Sequence, residues 1–109
     1  MSSPKDSSTP ESVAAEADRI VSGERQADYG HPADAFRQLA DLLNALGFRR
    51  VKSPDKISTV NLSAEDGPVI IRMLKETRLY STPGHRDSLV DICGYAKVEE
   101  MIWDRINGK

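Results

Sequence analysis

Three polar residues near the C-terminus, Asp87, Asp91 and Tyr95, are spaced i, i+4, i+8. On a helix that spacing places them on one stripe. The stripe continues into Val98 and Ile102, so it runs from acidic to apolar and sets Asp91 at a partly buried border. A carboxylate in that position needs partners. Lys75 and Arg78, i and i+3 on the preceding segment and sharing a face with Ile71, are placed to supply them. The turn Ser81-Thr82-Pro83-Gly84 would fold the two segments into antiparallel neighbours and bring both charge signs together. Two chemistries are open to such a cluster. One is an interhelical salt-bridge network that fixes helix register. The other is a phosphate site, in which Lys75 and Arg78 hold oxygens while Asp87 and Asp91 orient those cations or carry a magnesium ion.

A second concentration of chemistry lies in ERQADYGHP, Glu24 to Pro32. Gly30 suits a turn and Pro32 suits the first position of a helix. That leaves Arg25, Asp28, Tyr29 and His31. Locally, Arg25 and Asp28 read as a solvated pair, and Tyr29 as a residue packed over the entering helix. If the turn lies over the Lys75/Arg78 cluster, Tyr29 would stack on a base or ribose and Arg25 would add a phosphate contact. His31 and His85 each stand beside a helix start. There they serve as caps, as solvent-exposed rings, or as donors or acid/base groups toward a ligand. One cysteine and no paired histidine spacing argue against zinc. No Walker-type loop, dinucleotide fingerprint, Gly-x-Ser-x-Gly or EF-hand loop is present.

The elements that must position these residues are helical. Residues 1 to 8 are rich in Ser and Pro and read as a mobile tail, leaving 9–109 as one domain. Thr9 and Pro10 mark a first helix start, followed by Val13, Ala14, Ala17, Ile20 and Val21 at helical spacing and a stop at Gly23. His31-Pro32 opens a second helix with the stripe Phe36, Leu39, Ala40, Leu43 and Leu46, closed by Gly47. Phe48 to Leu62 has no helical period. It reads as a loop with a basic cluster (Arg49, Arg50, Lys52) and a short extended piece near Ile57 to Val60. Ser63 would cap a third helix, with Val69, Ile70, Met73 and Thr77 on one side. A last helix spans His85 to Ile106, with Leu89, Ile92, Cys93, Ala96 and Trp103 on the expected core side. Four helices with short connections predict an all-α four-helix bundle. The broad apolar face of the last helix predicts a homodimer.

Composition narrows the function classes. With 15 basic and 17 acidic residues the formal net charge is −2, which lacks the basic excess of a duplex nucleic-acid or membrane-surface protein. A small phosphate ligand needs only a few local cations. The single cysteine, Cys93, lies in an apolar stretch and points to a reducing compartment. The N-terminus lacks the apolar run of a signal peptide and no stretch reaches membrane-span length, so a soluble, cytoplasmic protein with no membrane partner is expected.

The order RQADYGHPADAF, MLKETR, HRDSLVDICGYA resembles a widespread family of small tailed-phage proteins whose domain has no assigned function. The resemblance covers about residues 16 to 98, and it implies host-cell cytoplasm as the location. The layout is more distantly similar to the all-α nucleoside triphosphate pyrophosphohydrolases of the MazG type. Those place carboxylates on two facing helices and bind magnesium between them, which would imply a MazG-like bundle and a nucleotide ligand here. The chain departs from that pattern. The Glu-x-x-Glu of the earlier helix is replaced around Lys75-Glu76-Thr77-Arg78, and the later Glu-x-x-Asp is half matched by Ser88-Leu89-Val90-Asp91. The leading expectation is a binder of a nucleotide or other phosphorylated small molecule, without efficient catalysis. The alternatives are a magnesium-dependent pyrophosphohydrolase using Asp87, Asp91 and Glu76 or Asp28, and a non-enzymatic binder of a host protein.

Overall fold

The computed structural model describes residues 10–23, 30–52 and 57–108. They form an all-α fold with one small hairpin: α1 (Val13–Ser22), α2 (Pro32–Ala45), β1 (Arg50–Val51), β2 (Thr59–Val60), α3 (Asp66–Ser81) and α4 (Arg86–Ile106). The proposed tail, and with it Thr9, lies outside the described residues, as do Arg25, Asp28 and Tyr29.

Local chemistry explains the boundaries. The first helix begins later than the Thr9-Pro10 signal implied, because Ser12 takes the capping position and its hydroxyl accepts the Ala15 N–H at 3.0 Å. Pro32 opens α2, and His31 Nδ1 accepts the Ala33 N–H at 3.0 Å. Gly47, with φ +98°, closes that end in a conformation other residues disfavour. The third helix starts at Asp66, and the expected cap at Ser63 works in reverse. Asp66 Oδ2 accepts the Ser63 N–H at 2.9 Å, so the side chain reaches back across the turn.

The segment expected to be a loop contains a real antiparallel pair, with Arg50 opposite Val60 and Val51 opposite Thr59. The extended piece near Ile57 to Val60 is thus present as β2, and its partner lies in the basic cluster. Two residues are too few to show a period of two, which is why β1 is invisible in the sequence. The hairpin is held to the helices by Arg50 on Asp66, at 3.2 Å. Just beyond it, the Asn44 amide bonds both the N–H and the C=O of Leu62, each at 2.9 Å.

The longest helix, α4, is the hub: α1 and α3 both pack along it, and α2 rests on α3 and α4. Its buried residues are Ser88, Val90, Gly94, Val98 and Ile102. The expected core side fails here: Leu89, Ile92 and Cys93 are half-buried, Ala96 is exposed, and Trp103 is 44% exposed. The reason is Gly94. With no side chain it lets α1 approach so closely that a Cβ there would stand 3.3 Å from Val21 Cγ2 and 4.0 Å from Ala17 Cβ. Close approach of small residues outweighs the larger apolar surface on the other flank. The α3 expectation fails for a similar reason. Gly67 and Pro68 are buried, while Val69, Met73 and Thr77 are exposed. Phe36 packs directly on the Gly67 backbone, drawing α2 to that side. On α2, Leu46 is exposed, whereas Ala33 and Ala40 are buried. Among the described residues no helix is long and apolar enough to cross a membrane.

Candidate functional site

The turn at Pro83-Gly84 sends α4 back along α3, and the expected charge pairing follows. Lys75 Nζ lies 3.0 Å from Asp91 Oδ2. The two side chains are 36% and 34% exposed, so the pair is solvent-screened and contributes little stability, on the order of 1 kcal/mol or less. Around it opens a cleft of about 770 Å³, lined by Lys75, Arg78, His85, Asp87, Asp91 and Tyr95 together with apolar residues of α3. Six of the residues singled out from sequence therefore meet in one place.

Their roles differ. Lys75 has three N–H donors and directs one at Asp91. Arg78 is exposed in the last turn of α3, and among the described residues no carboxylate pairs with its guanidinium. Asp87, in the first turn of α4, is also exposed and carries no ion pair among the described residues. It complements the positive end of that helix. His85 caps α4: its Nδ1 lies 3.3 Å from the Ser88 N–H and 2.9 Å from Ser88 Oγ. A ring accepting at Nδ1 carries its proton on Nε2, which makes it a neutral donor. Ser88 itself is 3% exposed, so its hydroxyl is a capping partner and not an accessible nucleophile.

Tyr95 is held from two directions. Its ring meets Phe36 edge-on, with centroids 6.3 Å apart and planes at 78°. Its carbonyl accepts from Arg72 at 3.4 Å, and Arg72 also pairs with Glu99 at 2.6 Å. This clamp between α3 and α4 lacks a sequence motif. On the far side of Tyr95 lies a second cavity of about 340 Å³ between α1, α2 and α4. Among the described residues its lining is apolar apart from Asp91 and Tyr95, and it includes Gly30 and Pro32. The sequence signal for this cavity is the set of small residues Ala17, Ala35 and Gly94, which leave space that larger side chains would fill.

His31 is the N-cap of α2 and is not part of the cleft lining. Arg25, Asp28 and Tyr29 lie outside the described residues; Gly30 and Pro32, which follow them in the chain, line the apolar cavity.

A pyrophosphohydrolase-type magnesium centre requires several carboxylates converging on one point. Among the described residues no three His, Cys, Asp or Glu side chains gather in that way. Asp91 is turned toward Lys75, and Asp87 stands a helical turn away. The described carboxylates thus do not converge on one point, and Asp28, the other candidate, lies outside the described residues.

Fold and site together define a small all-α protein with an ion-paired polar cleft between two antiparallel helices. The chain belongs to the family described as a Domain of unknown function (DUF6378), which matches residues 12–103. It is similar to the Gene 55 protein of Mycobacterium phage D29, 35% identical over 94 residues, covering 86% of this chain and 55% of the relative. The Gene 55 protein of Mycobacterium phage L5 is 33% identical over 91 residues, covering 84% of this chain and 52% of the relative. The chain thus spans about half the length of these curated relatives. No solved structure matches it.

Proposed function

We propose that the α3–α4 cleft binds the phosphate group of a nucleotide or another phosphorylated small molecule, without efficient catalysis. The observation that carries this reading is Arg78. It faces the cleft one helical turn from Lys75, and no described carboxylate neutralises it. A guanidinium offers five donors in a planar fork suited to phosphate oxygens. Lys75 adds its remaining donors, and His85 adds a neutral one at Nε2. Asp91 is already matched by Lys75, so it repels an incoming anion less than a free carboxylate would. The resemblance of the sequence layout to MazG-type enzymes favours a nucleotide, while among the described residues no carboxylate cluster supports their hydrolytic chemistry.

A thermal-shift screen of nucleotides and other phosphate esters, with and without magnesium, tests the reading. Stabilisation by at least one phosphorylated compound at millimolar concentration is expected. Stabilisation by none would refute it. Pyrophosphate release from the same panel is expected to stay at the background rate.

A second reading, binding of a host protein, rests on the exposed apolar side chains Met73, Leu74 and Tyr80 of α3. It predicts a stoichiometric partner from host lysate whose capture survives Arg78→Gln.

A further inference from the structure

The polar cleft and the apolar cavity share two lining residues, Asp91 and Tyr95. These are i and i+4 on α4, roughly 5–6 Å apart between Cβ atoms, so the two spaces adjoin along the same helical turn. The spaces differ in chemistry. The cleft holds Lys75, Arg78 and His85; the cavity is lined by residues such as Ile20, Val21, Phe36 and Met101. We infer that they are two compartments of one ligand site, and that the ligand is a phosphate ester whose body is a flat, largely apolar ring. This rests on the reading that the cleft holds phosphate.

Three observations define the body of the ligand. The cavity, about 340 Å³, is within the range of small-molecule sites and has room for a ring system. Among the described residues its lining offers a hydroxyl group no polar side chain besides Asp91 and Tyr95, so the body of a sugar phosphate would gain little there and would lose hydration. The junction offers one polar contact. Lys75 engages Oδ2 of Asp91, and among the described residues no donor reaches Oδ1. A ring that carries an N–H or O–H on this edge would add one bond there, and a ring without one would still bury its faces. The Tyr95 ring, braced edge-on by Phe36, supplies an aromatic surface beside it.

Calorimetric titrations with phenyl phosphate, AMP and ribose 5-phosphate separate body from head, because all three carry one phosphate monoester. Phenyl phosphate and AMP are expected to bind about tenfold or more tightly than ribose 5-phosphate, reflecting ring burial. The partner variant is Ala35→Leu. Ala35 lines the cavity yet is exposed on α2, so a larger side chain fills the space without disturbing the core. It should bring phenyl phosphate and AMP down to the ribose 5-phosphate level and leave ribose 5-phosphate unchanged. Equal affinity for all three, or no effect of Ala35→Leu on the ring compounds, would overturn the two-compartment site while the phosphate reading stands. Failure of every ester to bind would remove the phosphate reading and this inference with it.

Discussion

The contact that fixes α2 against α3 makes a sharp prediction about Gly67. A Cβ at this position would lie 2.1 Å from Phe36 Cδ1 and 2.7 Å from Cγ. No side-chain carbon tolerates that distance, and Cγ is not the loose end of a flexible chain, so Gly67→Ala must drive Phe36 out of its seat. Phe36 is half-buried, and its displacement forfeits about 1–1.5 kcal/mol of apolar burial. The edge-on pairing with Tyr95 forfeits about 0.5–1.5 kcal/mol more. Against this, alanine recovers at most about 1 kcal/mol of helix propensity, and less in a first turn. The net cost is about 1–2 kcal/mol, which lowers the melting temperature by roughly 4–16 °C in a domain of this size. The decisive assay is a double-mutant cycle by urea unfolding. In a Phe36→Ala background the clash is gone, so Gly67→Ala should be neutral or stabilising, a reversal of sign with a coupling of about 2 kcal/mol. Equal destabilisation in both backgrounds would refute the packing described here.

Three further outcomes follow from other parts of the molecule. The Arg19 side-chain hydrogen bond holds the Glu11 carboxyl below its ordinary value of 4.5; burial opposes the shift, and the charges of Arg19 and Arg86 add to it. A lowered folded value contributes stability above pH 4.5 that is lost as pH falls through the folded value. An NMR titration should therefore place Glu11 below 4.5, and Arg19→Gln should raise it; an unmoved midpoint contradicts the pairing. Arg72→Met removes the bonds to Glu99 and the Tyr95 carbonyl and should cost about 1–3 kcal/mol by chemical denaturation, with Arg72→Lys restoring only part. The homodimer expected from the apolar face of the last helix would cover exposed Trp103 and Ile106. Light scattering should then give twice the 12.0 kDa chain mass, with Ile106→Glu returning the monomer, and a parent chain at 12.0 kDa contradicts it.

The helices were legible because their signals are local. Pro32 after a capping histidine, Gly47, and the Pro83-Gly84 turn each act within a few residues, and the turn alone sufficed to pair Lys75 with Asp91. Which face of each helix is buried was not legible. Counting apolar side chains favours Leu89, Ile92 and Trp103, yet the tighter seam forms where Gly94 admits Ala17 and Val21. A glycine's value as a contact depends on what approaches it, and that partner lies more than 70 residues away in the chain. The same limit applies to Gly67 and Phe36. The cleft was foreseen as a cluster of charges, whereas the apolar cavity beside it was not, because an empty space is made by small residues from three helices and has no sequence period. His31 shows the converse: a residue with reactive chemistry whose observed contact is the capping of its own helix.

The proposed phosphate site of Lys75 and Arg78 between α3 and α4 is tested most directly by an NMR titration of the ¹⁵N-labelled chain with inorganic pyrophosphate, following backbone amides and the Arg78 Nε–H. Saturable shifts concentrated at Lys75, Arg78, His85 and Asp91 are expected, with their loss in Arg78→Gln and the rest of the spectrum unchanged. Absence of saturable shifts in the parent chain, or shifts that persist undiminished in Arg78→Gln, would contradict the proposal.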